Sequence, residues 1–364
     1  MPPLLTLTGA RSAVCVGLLT LLWAILPCAW GQAASGAATL NLSAVMDQYL
    51  TRAEAGPRSV TGLAEGGNSA SLIALRGQDH LGKGWSGQFH LEAGLSPLSG
   101  AGAGAGGHLQ FNRVSSLGLA GPWGQIELGR QYTPMFLAVL RHDPFRLNAV
   151  FSPLHLMGSI DAQVGQRAFA ARANGMLRYR SLPVTDRPWA LDLAWAPSAG
   201  AASEHASSLR GAALTWQHET VSLSYARQHN ANPPPLAGHS QHQALGASVR
   251  LHGLSLHAHL MHLSNSLPGQ ASARLLALGL QHDLGPRNTA LLELVWRRVD
   301  HSPRAQQALS LGLDHRLGPR TVLYARWLIL NNRANASATL GGVSIPLDSG
   351  HDLRLLGLGM RQDF

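Results

Sequence analysis

The chain has 364 residues, a formal net charge of +9 and two cysteines; 45% of its residues are hydrophobic and only 13% are charged. Globular proteins usually have about 25% charged residues, so the charged share is about half the ordinary one. This apolar composition excludes an intrinsically disordered chain, and two cysteines cannot build a disulfide scaffold.

The N-terminal segment is typical of a cleavable secretory signal. Arg11 precedes an apolar run over residues 13–26, and the small-residue stretch 31–34 follows. The alternative is an anchoring transmembrane helix, but the run of 14 residues is too short for one. We expect residues 1–33 to be removed, which leaves 34–364 as the mature chain, without cysteine.

The remainder of the chain alternates apolar and polar residues, which is the period of half-buried strands. Residues 175–181 alternate apolar and basic side chains, and residues 354–364 repeat the alternation with apolar and small or polar ones. Residues 323–330 differ, because they are apolar on both faces apart from Arg326. The pattern predicts an all-β protein.

Short turn signals separate these predicted strands at Lys83, Pro122, Pro183, Glu219, Gly253, Pro286 and Pro319. Their intervals are 33 to 39 residues, apart from one of 61, and each such interval fits two strands of about ten residues and one longer loop. Seven turns join eight hairpins, which predicts a sixteen-stranded antiparallel transmembrane β-barrel wide enough for an aqueous channel. Helical repeats would need amphipathic helices, which the pattern does not show; a soluble two-sheet sandwich remains the alternative.

Several segments resemble the trimeric sixteen-strand general porins of Gram-negative bacteria. The most specific is SLGLAGPWGQIELGRQYTP (116–134), which is similar to YVGLSGGFGTVTLGRQYTP in that family. Residues 75–84 resemble its RG-x-EDLGGG turn, residues 89–94 its FQLESG strand, and Phe364 its terminal aromatic residue. The resemblance implies a water-filled homotrimeric pore in the outer membrane, for ions and small hydrophilic solutes. It also implies contact with membrane lipid, lipopolysaccharide and the assembly machinery that reads Phe364.

In that family the long third loop folds into the lumen and faces an arginine ladder on the wall. The 61-residue interval supplies such a loop, over residues 132–173, and long loops are usually functional. Arginine suits such a ladder because it stays ionised when partly desolvated. On the loop, the cations Arg141, Arg146, Arg167 and Arg172 outnumber Asp143 and Asp161. The resemblance and this count predict an anion-preferring constriction made by Arg76, Arg113, Arg178, Arg180, Arg141, Asp143 and Arg146.

Other functions have weaker support in the sequence. The G-x-G-x-x-G pattern at 102–107 precedes a strand rather than a helix, so it does not predict a dinucleotide site. His257 and His259 share a strand face that could hold a metal ion, but their strand adds no Cys, Asp or Glu; we expect neither a metal nor a cofactor. The basic residues are spread at strand intervals, which argues against nucleic-acid binding.

Two further kinds of outer-membrane barrel remain as alternatives to a porin. One is a barrel hydrolase, although the sequence contains no G-x-S-x-G motif and we expect no enzymatic activity. The other is a plugged structural or adhesive barrel, which would not let small sugars through.

Overall fold

This computed structural model describes residues 38–159, 171–181, 188–198, 208–232, 238–266, 272–334, 336, 345 and 350–364. The expected signal peptide, the turn at Pro183 and the loop residues Asp161 and Arg167 lie outside these ranges.

The described residues form one antiparallel sheet of seventeen strands. In the first half of the chain these are β1 (Thr39–Ala55), β2 (Arg58–Glu65), β3 (Leu72–Gly82), β4 (Trp85–Gly94), β5 (Val114–Gly121), β6 (Gly124–Tyr132), β7 (Arg172–Arg180), β8 (Trp189–Ala196) and β9 (Ser208–His218). The second half contains β10 (Val221–Asn232), β11 (Gly238–Leu251), β12 (Leu254–Asn265), β13 (Ala273–Asp283), β14 (Asn288–Val299), β15 (Ala305–Arg316), β16 (Thr321–Arg333) and β17 (Leu353–Asp363).

The sheet closes on itself, because β17 pairs with β1 from Val45 opposite Asp363 to Ala55 opposite Leu353. Strands β2 and β3 lie end to end along the other side of β1, so the two together fill one position of the barrel. Seventeen strand segments therefore make sixteen barrel positions. The predicted sixteen-stranded barrel is confirmed.

The chain between β2 and β3 turns inward and is fixed by Asp47 of β1. Asp47 is fully buried and accepts hydrogen bonds from the backbone N–H groups of Asn68 and Ser69, at 3.1 and 2.9 Å. The hydroxyl of Tyr324 donates to its second carboxylate oxygen at 2.5 Å. This excursion is why a single strand position is occupied by two segments.

Short turns lie where the sequence predicts them, at Lys83, Pro122, Glu219, Gly253, Pro286 and Pro319. Aromatic side chains gather beside these turns. Trp85 and Trp123 pack edge to face with ring centroids 5.4 Å apart, and Trp123 stacks on Tyr179 at 6.4 Å. Trp189 and Trp216 continue the belt at 6.4 Å. A belt of this kind borders the apolar outer face of membrane barrels.

The described part of the loop between β6 and β7, residues 133–159 and 171, lies inside the barrel. It contains α1 (Pro134–Arg141) and α2 (Pro153–Ser159). Thr133 caps α1 by accepting a hydrogen bond from the backbone N–H of Phe136 at 3.3 Å, and Pro134 at the first helical position has no N–H to satisfy. None of the helices in the described ranges is long and apolar enough to cross a membrane.

The loop packs against one half of the inner wall. Helix α1 contacts β8 to β11, chiefly β9 to β11, and α2 contacts β13 to β15. The buried core of this contact joins loop and wall side chains, among them Met135, Phe151, Leu154, Met157, Leu328, Leu330, Leu353 and Leu355. Residues 323–330 are therefore apolar on both faces for two reasons: the outer face is apolar like the rest of the barrel exterior, and the inner face packs on the loop.

Candidate functional site

The half of the inner wall opposite the main contacts of the loop, from β3 to β8, carries a cluster of charged side chains. We call it the arginine wall and define it as Arg76, Arg113, Arg172, Arg178 and Arg180 with Glu92, Glu127 and Asp192. Strand alternation places these residues, since residues directly opposite each other share a face. Arg76 lies opposite His90 on β4, and Glu127 on β6 lies opposite Arg178 on β7.

Glu92 is the centre of the first group in the arginine wall. It is buried, and its carboxylate lies 2.5 Å from Nε of Arg113 and 4.0 Å from Nη2 of Arg76. The hydroxyl of Tyr132 donates to Glu92 at 3.2 Å and accepts from Nη2 of Arg172 at 2.9 Å. One carboxylate thus orients several guanidinium groups, and Arg76 remains half exposed.

The second group lies on β6, β7 and β8. Arg178 makes a bidentate contact with Asp192, with Nε–Oδ1 at 2.8 Å and Nη2–Oδ2 at 2.5 Å. Arg180 reaches Glu127 at 3.6 Å and donates to Oε1 of Gln125 at 2.8 Å. Arg178 is buried, whereas 41% of the Arg180 side chain is exposed. Arg178 is therefore neutralised by its partner, and Arg180 offers its charge to the lumen.

The arginine wall holds five guanidinium groups and three carboxylates, an excess of two positive charges. The sequence analysis assigned four of these arginines to the site and missed the three carboxylates. Strand alternation could have identified Glu92, because it shares its parity on β4 with His90 opposite Arg76. A small anion can be held between guanidinium groups in this way, since each presents several N–H donors in a fixed plane.

Two of the loop arginines, Arg141 and Arg146, do not join the arginine wall. Arg141 is exposed and donates to Oε1 of Gln217 on β9 at 3.3 Å. Arg146, also exposed, lies with Arg316, Arg326 and Arg361 around a separate cavity of about 260 Å³. Both lie on the side of the lumen that the loop covers. Six of the seven predicted constriction residues therefore occupy three separate places in the lumen.

The structure places Asp143 inside the loop instead of on its lumenal surface. Its carboxylate accepts hydrogen bonds from the backbone N–H groups of Phe145 and Leu147, both at 2.7 Å, and from Oγ of Ser152 at 2.6 Å. Burial raises the pKa of Asp143 above its usual range. This corrects the expectation that Asp143 faces the pore: its role is to fold the loop.

Two buried histidines, His142 and His259, lie where the inward loop packs against the barrel wall. His259 on β12 is buried beneath α1, with Nε2 3.1 Å from the carbonyl oxygen of Val139. His142 lies 5.8 Å away between ring centroids and contacts Oγ of Ser224 at 2.9 Å. Burial lowers the pKa of His142 to about 4, so it is neutral at pH 7. Within the described part of the chain, no three His, Cys, Asp or Glu side chains are placed to hold a metal ion.

Phe364 lies on the outer face at the end of β17 and is 64% exposed. Its backbone N–H donates to the carbonyl oxygen of Ala44 at 2.9 Å, which ties the C-terminus to β1. The ring is thus available on the exterior of the closed barrel.

Comparison with known proteins gives a family match over most of the chain. A family model described as Gram-negative porin matches residues 20–334. Outer membrane porin protein 32 of Delftia acidovorans is 32% identical over 156 residues, which are 40% of this chain and 42% of that protein. The alignment therefore spans less than half the length of this relative.

Solved porin structures superpose on nearly the whole chain. The anion-selective porin from Comamonas acidovorans matches with a TM-score of 0.80 at 21% identity, over 90% of this chain and all of that one (100%). OmpT of Vibrio cholerae, in a structure described as the trimer form, matches with a TM-score of 0.66 at 10% identity, over 90% and 100% of the two chains. OmpF of Salmonella typhi gives 0.65 at 12% identity, over 89% and 97%. At sequence identities of 10% to 21%, this structural similarity establishes the fold of the chain.

Proposed function

Because this chain belongs to the Gram-negative porin family, we propose that it forms a water-filled channel in the outer membrane for passive diffusion of ions and small hydrophilic solutes. The outward leucines and the aromatic belt beside the short turns support the membrane placement. Residues 1–33 would direct export as a cleavable signal. The proposal contains no chemical reaction, because a porin filters solutes by width and charge.

In this proposal the channel prefers anions. The observation that supports this preference is the excess of positive charge in the arginine wall. Arg76 and Arg180 are its most exposed guanidinium groups, with 52% and 41% of their side chains exposed. The carboxylate near Arg76 also contacts Arg113, and Arg180 also donates to the amide of Gln125. Arg146 and Arg141 add positive charge on the loop side of the lumen. Charged side chains at a narrow place select ions by sign, so chloride should pass more readily than potassium.

The protein assembles as a homotrimer in this proposal. The most exposed apolar side chains of the barrel exterior lie on β1, β2 and β5, where Leu42 is 72% exposed, Leu117 66% and Leu63 64%. Such a patch on one side of the barrel suits a contact with another copy of the chain. The remaining apolar exterior would contact membrane lipid, and the exposed Phe364 would be available to the assembly machinery.

Planar bilayers with a salt gradient test the proposed function. Reconstituted protein should give discrete conductance steps and a reversal potential displaced toward that of chloride. A displacement toward the cation potential contradicts anion preference. Liposomes containing the protein should swell in small sugars; failure to swell favours a plugged barrel, and release of acids from phospholipid or peptide substrates favours a hydrolase.

A further inference from the structure

The cavity of about 260 Å³ beside Arg146 lies between the tip of the inward loop and the inner wall. The wall contributes residues that come just before or after the short turns at Pro286 and Pro319. The chain between β2 and β3 adds Gly67 and Asn68. Three separate parts of the fold therefore enclose the cavity: the wall, the loop tip and the inward excursion after β2.

Strand register places two arginines of this wall on either side of a valine. Val322 of β16 lies directly opposite Arg316 of β15 and opposite Arg361 of β17. Residues directly opposite each other share a face, and all three side chains line the cavity. Arg361 pairs with Asp363, with Nε 2.9 Å from Oδ1. Arg316 is exposed, and no carboxylate of the described residues lies within 4.0 Å of it. Arg316 therefore presents an unpaired charge beside an apolar side chain.

The loop tip holds a further guanidinium group at the same cavity. Arg146 and Leu147 have φ angles of 53° and 50°, a left-handed conformation that residues other than glycine adopt rarely. The carboxylate of Asp143 maintains this turn by accepting from the backbone N–H of Leu147 at 2.7 Å. Arg146 is exposed and forms no ion pair within 4.0 Å among the residues that the structure describes. Backbone strain of this kind is concentrated at ligand sites, and here it fixes Arg146 at the edge of the cavity.

A buried arginine orders the apolar side of the cavity. Nη2 of Arg326 lies 2.7 Å from Oδ1 of Asp314, so its charge is compensated. The same guanidinium group lies over the ring of Phe145, 5.7 Å from the centroid. The apolar side chains that line the cavity are Pro144, Phe145, Leu291 and Val322. One apolar side thus faces two guanidinium groups that have no carboxylate partner in the described ranges.

This combination fits a carboxylate that carries a compact apolar body. The arginine wall shows how the chain satisfies such a pair itself: the carboxylate of Glu92 lies 2.5 Å from Arg113 and 4.0 Å from Arg76. Between Arg146 and Arg316, no carboxylate of the described residues takes that place. An inorganic anion would satisfy the charges but leave the apolar side in contact with water, which is unfavourable in proportion to its area.

We propose that this cavity binds a small aromatic carboxylate of the benzoate class. The carboxylate pairs with Arg146 and Arg316, because a guanidinium group presents parallel N–H donors that match carboxylate oxygens. The ring lies against Val322, Leu291 and Phe145. A rigid ring suits the cavity better than a flexible chain, since it loses no internal rotation on binding. The inference rests on the proposed channel function, because the ligand would reach the cavity through the lumen.

The test titrates the detergent-solubilised protein with 4-fluorobenzoate and follows binding by fluorine NMR. Arg316→Gln should raise the dissociation constant by about ten-fold, because it removes a charge-assisted hydrogen bond. Val322→Thr keeps the shape of the side chain but adds a hydroxyl group, and it should weaken binding by about three-fold. The matched control is Arg250→Gln. Like Arg316, Arg250 is exposed and stands three residues before its turn position, at Gly253, but it lines a different cavity.

Weaker binding in Arg316→Gln and Val322→Thr, with the control unchanged, supports the proposal. Equal binding by Arg316→Gln and the unaltered protein overturns it, as does an equal loss in Arg250→Gln. An affinity unaffected by Val322→Thr overturns the placement of the ring. Displacement of 4-fluorobenzoate by acetate or inorganic phosphate as readily as by benzoate also overturns the proposal, because the apolar side would then contribute nothing.

Two further comparisons keep the outcome clear. If Arg316→Gln fails to fold, Arg146→Gln gives the same comparison of dissociation constants. Binding of 4-fluorobenzoate by a protein that does not conduct in bilayers would support the site and refute the proposed channel. Conductance without binding would refute the site and leave the channel.

Discussion

Phe151 of the inward loop packs over Gly357 of β17, so closely that a Cβ atom on the glycine would stand 2.7 Å from Cζ of the phenyl ring. Tyr49 borders the same point, with its ring 5.6 Å from that of Phe151 between centroids. The last strand therefore has to lack a side chain where the loop meets the wall.

Gly357→Ala should disturb the packing of the inward loop against β17. Overpacking of a close-packed contact typically costs about 1–3 kcal/mol, so we expect the variant to unfold at lower temperature and its channel current to become noisier. The measurements are the temperature at which the folded band disappears on electrophoresis and the open-channel noise. Gly62→Ala is the control, because a Cβ there meets nothing within 4 Å; equal behaviour of the two variants would show that the contact is unimportant.

Arg76→Gln should weaken anion preference. A unit charge about 7 Å from a permeating ion contributes about 0.6 kcal/mol in water, favourable for chloride and unfavourable for potassium. The difference of about 1.2 kcal/mol corresponds to about a seven-fold change in the chloride to potassium permeability ratio. The reversal potential under a salt gradient measures this ratio. Arg52→Gln is the control, since Arg52 is similarly exposed but pairs with Glu54 on β1 at 2.9 Å, away from the arginine wall. A permeability ratio unchanged by Arg76→Gln would remove Arg76 from the proposed selectivity.

Acidification should loosen the loop through His142. Burial lowers the pKa of His142 from 6.5 to about 4, and the nearby Arg141 and His257 lower it further in the same direction. As the pH falls, His142 is therefore protonated at a higher pH in the unfolded chain than in the folded protein. The contribution of neutral His142 to the free energy of unfolding is fully present above pH 6.5. It is lost as the pH falls to about 4, and the loss amounts to at most about 3 kcal/mol. His155 acts in the same direction because burial also lowers its pKa to about 4. Asp143 acts in the opposite direction, since burial raises its pKa.

The contribution of His142 can be isolated with His142→Gln, which keeps a side chain able to hydrogen-bond with Ser224. We expect unfolding temperatures of the unaltered protein to fall more steeply between pH 7 and pH 4 than those of the variant. Parallel curves would mean that His142 is not the group that titrates.

Asp143→Ala should free the loop from its folded shape. The substitution leaves three donors without their acceptor, the backbone N–H groups of Phe145 and Leu147 and the hydroxyl of Ser152. A buried polar group without a partner costs about 1–3 kcal/mol. We expect a larger and less steady conductance, whereas Asp143→Asn should be milder because its amide oxygen still accepts. Identical currents in both variants would contradict a structural role for the carboxylate.

Phe364→Ala should reduce assembly in cells without destabilising the folded barrel. The ring is mostly exposed and the strand pairing near it uses backbone groups of Ala44 and Phe364. Folded porin in isolated outer membranes should decrease, while protein refolded in detergent keeps its unfolding temperature. A loss of stability in detergent would show that the ring supports the barrel itself.

Two local patterns of the sequence predicted the fold: the alternation of apolar and polar residues, and the residue types at the turns. The six turns found in the described ranges all fall at predicted places, because a tight connection needs Gly or Pro, or a residue with positive φ such as Lys83 or Glu219. Alternation along β7 also predicted that Arg178 and Arg180 share a face, and the arginine wall has both. The division of one strand position between β2 and β3 has no such signal, since it depends on the distant Asp47 and Tyr324.

The sequence by itself determined the barrel, the number of its strands and which wall arginines face the lumen. It could do so because the period of a strand and the residue types that a turn requires are local properties. Only the tertiary structure decided where the inward loop rests. That position follows from apolar packing against β9 to β17, which buries Asp143, turns Arg141 and Arg146 toward the covered wall, and leaves β3 to β8 as the charged half of the lumen. Such packing joins residues far apart in the chain, and no periodic pattern records it.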